Sequence, residues 1–201
     1  LSPVKSSAWA TPIVIVNKPN GDFRICGDYS VTINPNLQLG AFTTRDTEEM
    51  FTDMQDSTVF SKIDLDNAFF QVPLDESSKP LTTINTMWGL YQFNYLPFGL
   101  TVSPSVFQEV INKIIEDLEG VRSYQDYLLV DGVNKEIHDN RLLQLMNRLN
   151  KYNIKINATK SVFGVNKIKY LGYYLDGTGI RPDTDRINPW QKHLYLTLLN
   201  L

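Results

Sequence analysis

Cysteine is nearly absent from this chain: Cys26 stands alone among 201 residues. A lone thiol excludes an internal disulfide and a cysteine-built zinc site, and it suits a reducing compartment. No apolar run approaches the ~18 residues that a membrane-spanning helix needs. No repeat or low-complexity tract interrupts the sequence. His138 has no partner histidine at metal-ligand spacing and, beside Asp139 on a helical pattern, reads as a surface residue. Positive charge is not in excess. The formal net charge is -3, so any nucleic-acid surface has to be a local patch, and the acidic balance counts against strong binding by this piece alone. The chain opens Leu1-Ser2-Pro3, without methionine or a signal sequence, and reads as a segment of something longer. What is present is ordinary globular composition, 42% apolar and 20% charged. That is enough to build a core in one domain or two closely packed subdomains.

Thr11 to Lys18 is β-branched and apolar, Pro19-Asn20-Gly21 signals a turn, and Asp22 to Gly27 alternates as a return strand, so the three read as a hairpin. Asp46 with Glu49 predicts a capping box on a short helix that buries Met50, Phe51 and Met54. Thr58 to Asp66 reads as a strand with Phe60, Lys62, Asp64 and Asp66 on one face and Val59, Ile63 and Leu65 on the other. Two short strands are predicted within Leu81 to Phe93, around Trp88-Gly89. Ser103-Pro104 opens a helix with Phe107, Val110, Ile111, Ile114 and Leu118 inward and Gly120 at its end. A second helix is predicted from about Lys135 to Lys151, with Ile137, Leu142, Leu145, Met146 and Leu149 inward. Three short strands follow, turning at Asp176-Gly177 and Thr178-Gly179. Hairpins without strict strand–helix alternation predict an α+β fold, an antiparallel sheet with helices packed on one face.

Asp64 lies near the end of one apolar strand, and Asp126 lies just ahead of another, Leu128 to Val130. If those strands are neighbours, the two carboxylates converge at one sheet edge. Carboxylates are hard ligands that suit Mg²⁺, which completes its shell with water and substrate phosphates. Two such ions about 4 Å apart would activate a hydroxyl nucleophile and neutralise a phosphate leaving group. Each aspartate also reads as an ordinary strand-end or turn residue, and spacing alone leaves both readings open. Phe69 and Phe98 could line such a site or plug a core. Lys18 and Arg24 flank a hairpin turn, where they could grip a polyphosphate or simply be solvated.

Five stretches in order carry a resemblance: WATPIVIVNKPNGDFRICGDYSVTINP from Trp9, FSKIDLDNAFFQVPLDE from Phe60, INTMWGLYQFNYLPFGLTVSPSVFQ from Ile84, YQDYLLV from Tyr124 and KYLGYYLDGTGIRPD from Lys169. Together, over about Pro3 to Ile187, they resemble the fingers and palm of a reverse transcriptase of the Ty3/gypsy long-terminal-repeat type. The resemblance implies residues 1–57 as fingers, 58–187 as palm with a further fingers insertion near 75–97, and 188–201 as a divergent C-terminal tail. It implies that Asp64, Asp126 and the carbonyl of Leu65 hold the metal, Mg²⁺ or Mn²⁺. It implies that Lys18 and Arg24 hold the incoming triphosphate, that Phe69 selects the sugar, that Phe98 lines the nucleotide pocket, and that Lys160 lies near the triphosphate. The implied partners are an RNA or DNA template-primer and a deoxynucleoside triphosphate. The implied setting is intracellular, cytoplasm or nucleus, with no membrane.

The departures from the family pattern point one way. Tyr127 stands where the second aspartate of the family's Tyr-x-Asp-Asp hairpin belongs. It offers a neutral phenol, of pKa about 10, in place of a carboxylate. Tyr95 replaces an arginine common before Leu-Pro-Phe-Gly, Met87-Trp88 replaces a polar or basic pair, and Ser30 a basic residue. The expectation is a reverse-transcriptase-like domain of a retroelement Pol polyprotein with a degenerate catalytic motif. Two alternatives remain: a residually active enzyme, and a domesticated module that binds a protein partner.

Overall fold

A computed structural model describes residues 1–18, 21–37, 52, 54 and 56–183. The Pro19-Asn20 turn, the Asp46–Glu49 cap with Met50 and Phe51, and the tail beyond Ile187 lie outside the described residues. In chain order the strands are β1 (Ser2–Val4), β2 (Thr11–Asn17), β3 (Phe23–Gly27), β4 (Val59–Leu65), β5 (Ile84–Thr86), β6 (Gly89–Gln92), β7 (Val121–Tyr124), β8 (Tyr127–Gly132), β9 (Ile156–Val165), β10 (Lys167–Tyr170), β11 (Tyr173–Asp176) and β12 (Gly179–Pro182). Among the described residues the α-helices are α1 (Ser103–Ile115) and α2 (Lys135–Lys151). The chain divides into two compact units, one of Leu1–Thr43 with Asp66–Ile114, the other of Thr44–Leu65 with Ile115–Leu201.

The first unit is built on a five-stranded sheet in the order β1-β6-β5-β2-β3. The predicted hairpin is there, β2 against β3 with Val16 opposite Arg24. The Lys18 N–H donates to the Asp22 carbonyl at 2.7 Å and so narrows its base. β2 also pairs in parallel with β5, at Thr11 and Ile84. The two short strands predicted within 81–93 are β5 and β6. A 3₁₀ turn at Lys79–Thr82 precedes β5, because Pro80 has no N–H for a ladder. In α1, Phe107, Ile111 and Ile114 are buried one turn apart, as the periodicity predicts. Ser103 does not act as a conventional cap: its buried hydroxyl donates to the Pro97 carbonyl at 2.7 Å, tying the helix start to the preceding loop. The helix stops at Ile115, short of Gly120.

The second unit is layered. Its four-stranded sheet runs β7-β8-β4-β9, all antiparallel. One face carries α2, which places His138 against Ser61 of β4. The other face packs Phe60 and Leu129 against Ile168, Tyr170 and Leu175 of the small sheet β10-β11-β12, with Met54 in the same cluster. β4 is therefore covered on both sides, and its only residue that is not fully buried is Lys62.

Two sequence expectations are corrected here. His138 is 0% exposed, not a surface residue. It takes the inward place predicted for Ile137, which is 37% exposed. His138 sits one turn ahead of Leu142 and two ahead of Leu145, so it lies on the buried stripe of α2. The last three predicted strands are four. β9 runs for ten residues along β4, and its mostly exposed side chains hide it from a hydropathy reading.

Candidate active site

β4 and β8 bring the distant residues of the candidate centre together. Asp64 and Tyr127 are direct cross-strand partners. The Leu65 N–H donates to the Asp126 carbonyl at 2.9 Å. A ladder bond between the flanking residues makes Asp64 and Tyr127 a non-hydrogen-bonded pair. In such pairs the Cα atoms approach to about 4.5 Å and the side chains share a face. The phenol therefore stands beside the Asp64 carboxylate, on the same side of the sheet.

Asp64 is 6% exposed, while Tyr127 is 36% exposed and Asp126 lies open at the hairpin turn. That turn is tight: Gln125 holds a left-handed φ of 52°. Lys62, two residues before Asp64 on β4, sets its ammonium 5.1 Å from the centre of the Tyr127 ring, a cation–π contact. On the other side of β4, β9 bulges between Asn157 and Val162. The bulge aims the Ser161 hydroxyl at the Asp64 N–H, which it accepts at 3.0 Å while donating to the Asn157 carbonyl at 2.7 Å. Ser161 thus fixes the backbone under the candidate aspartate. No sequence signal singled it out, because a bulge is set by pairing and not by local composition. Lys160, beside it on β9, is exposed, and its N–H donates to Asn157 Oδ1 at 3.3 Å.

The first unit gathers the other candidates. Phe69 lies in a 3₁₀ turn, Ala68–Gln71, which Asn67 enters with φ 46°. Its ring meets Phe98 at 4.7 Å and Phe107 at 5.5 Å. Arg24 lays its guanidinium carbon 3.9 Å above the Phe98 ring. Lys18 and Arg24 both line a groove of about 350 Å³, whose other lining includes Phe23, Ile25, Asn67 and Phe70. Nearby on β3, partial burial pushes the Cys26 thiol up while Arg24 opposes the shift.

Among the described residues no group of three or more carboxylate, imidazole or thiol side chains gathers as a metal site. Asp66, predicted on the same face of the strand as Asp64, is not part of β4. It lies past the end of β4, in the first unit, and its Oδ1 accepts from Asn67 Nδ2 at 3.0 Å.

Residues 17–175 match the family model described as reverse transcriptase (RNA-dependent DNA polymerase). The chain belongs to the reverse transcriptase family. This reverse transcriptase domain is 32% identical over 186 residues to the uncharacterized protein K02A2.6 of Caenorhabditis elegans, covering 92% of this chain and 14% of that protein. It is 29% identical over 195 residues to the retrovirus-related Pol polyprotein from transposon 412 of Drosophila melanogaster, covering 93% of this chain and 16% of that one. It is 24% identical over 188 residues to the transposon Tf2-7 polyprotein of Schizosaccharomyces pombe, covering 91% and 14%. The reverse transcriptase domain thus spans a small part of the length of these relatives. Its fold matches the foamy viral protease-reverse transcriptase dRH solved in complex with double-stranded DNA, with TM-score 0.83 and 23% identity, covering 93% of this chain and 33% of that one. Among the described residues no helix is long and apolar enough to cross a membrane.

Proposed function

We propose that this chain is the fingers-and-palm part of a retroelement reverse transcriptase whose polymerase chemistry is lost or severely impaired. The observation that carries the reading is the pairing of Tyr127 with Asp64 across β4 and β8. The resemblance calls for a third carboxylate at that place. Two divalent ions bring four positive charges, and only Asp64 and Asp126 oppose them here. A phenol neither balances a cation nor binds one as a carboxylate does. The donor set does not fit an ion pair, and the two-metal step has no footing in it. Asp64, Asp126 and the Leu65 carbonyl would hold at most a single, weakly bound Mg²⁺ or Mn²⁺.

The remaining assignments rest on the resemblance. Residues 1–57, with an insertion near 75–97, are fingers, 58–187 palm, and 188–201 a divergent tail. Lys18 and Arg24 hold a deoxynucleoside triphosphate, Phe69 reads its sugar, Phe98 belongs to the same pocket, and Lys160 lies near the phosphates. The parent activity is templated DNA synthesis inside the cell, on an RNA or DNA template-primer that this acidic chain grips weakly. Each ~1.36 kcal/mol of lost transition-state stabilisation lowers the rate tenfold, so the loss of one charged ligand is enough to silence synthesis. The test is primer extension on poly(rA) primed with oligo(dT), in Mg²⁺ and in Mn²⁺. The unmodified chain is expected to add no nucleotide, and clear incorporation overturns the proposal. Tyr127→Asp is expected to raise incorporation by at least about tenfold over that background.

A further inference from the structure

We propose that Phe98 is a positioning residue for Arg24: its ring fixes the guanidinium beside the groove that takes the phosphates of a nucleoside triphosphate. The inference rests on the reading above that Lys18 and Arg24 grip a triphosphate.

The ring of Phe98 is already occupied. Arg24 covers it at 3.9 Å. Phe69 meets it tilted at 4.7 Å, and Phe70 meets it edge-on at 5.3 Å. These partners are themselves held, since Phe69 contacts the buried Phe107 of α1 and Phe70 stacks on the buried Phe93 at 6.0 Å. The backbone around Phe98 is fixed as well. The Leu96 N–H donates to the Val72 carbonyl at 2.8 Å, and the Pro97 carbonyl accepts from Ser103. Gly99 follows with φ 102°, and a Cβ there would stand 2.3 Å from the Gly27 carbonyl. That close approach brings the 97–99 loop onto the end of β3, the strand that carries Arg24. The stack is therefore built by backbone contact and not by two side chains that happen to meet.

Stacking uses the flat face of a guanidinium and leaves its in-plane N–H fork free to meet phosphate oxygens. It also removes much of the rotamer freedom that a long side chain would lose on binding. Arg24 and Lys18 line the groove of about 350 Å³, a volume within the usual range for small ligands. Two cations among its lining residues suit a polyphosphate.

The test uses the full chain with two probes, inorganic tripolyphosphate and dTTP, measured by calorimetry. Phe98→Leu is expected to weaken both by a similar factor, about fivefold to tenfold, and Phe98→Tyr to leave both within about twofold. In an Arg24→Ala background, Phe98→Leu is expected to have no further effect. The Arg24 Nε–H resonance, displaced by the ring current, is expected to move toward its free position in Phe98→Leu and to stay in Phe98→Tyr. If Phe98→Leu fails to fold, Phe98→Met fills the volume without a ring and takes its place. Loss of dTTP affinity with unchanged tripolyphosphate affinity would show that Phe98 touches base or sugar, and would overturn this proposal alone. Absence of binding of either probe to the unmodified chain would overturn the triphosphate reading together with it.

Discussion

Gln125 turns the hairpin that carries Asp126 and Tyr127, and it does so with φ 52°, a region that favours glycine or asparagine. A β-branched side chain fits that region worst. Gln125→Val is expected to destabilise the fold by about 1–2 kcal/mol in urea denaturation. Ser61 is a second single-residue hinge of stability. Its buried hydroxyl contacts His138 Nε2 at 2.8 Å and accepts the Gly164 N–H at 2.9 Å. Ser61→Ala strands both groups, at an expected cost of about 1–3 kcal/mol by the same assay. Asp117 shows how an exposed pair reads in pH. The Arg148 guanidinium holds its carboxyl down to about 2. The folded value lies below the ordinary ~4, so the pair's contribution is full above that value and fades as pH falls through about 2. Arg148→Gln is expected to bring the Asp117 carboxyl midpoint back toward about 4 in a carbon NMR titration. At this scale the sequence was partly readable. Asp64 and Asp126 stood out because each closes or precedes an apolar strand. His138 did not. Its burial depends on Ser61, far off in the chain, and on the bare backbone of Gly132, neither of which marks the helix locally.

Helix α2 lies on its sheet only because Gly132 has no side chain. A Cβ there would stand 2.6 Å from the His138 backbone nitrogen. Gly132→Ala is therefore expected to push the helix off and cost about 1–3 kcal/mol, seen as a lower melting temperature with weakened near-ultraviolet signal. Elements with one strong period were legible. The buried stripe of α1 and the β-branched run of β2 declared themselves, and β4 was placed within a residue at each end. The alternation of its faces is legible as far as Asp64, whereas Asp66 falls beyond the strand, and the second covering sheet leaves no mark in β4 itself. β9 was missed as a long strand because its side chains are mostly exposed and its bulge breaks the alternation on which the reading depends.

At the scale of the molecule, neither unit is a continuous piece of chain. β4 lies between β8 and β9 in the sheet, yet precedes both by long stretches of sequence. A fragment of residues 115–201 keeps β7, β8, β9 and α2 but lacks the strand they pair around. It is expected to show no dispersed amide spectrum, and a folded fragment would contradict the central role of β4. Such long-range pairing also predicts slow refolding relative to helical proteins of this size. The same order of strands has a consequence during synthesis. β4 leaves the ribosome roughly 90 residues before β9 begins, which at ordinary translation speeds is about 5–20 s. Throughout that wait an apolar ribbon stands without a neighbour on one edge, an open invitation to a holding chaperone or to another nascent chain.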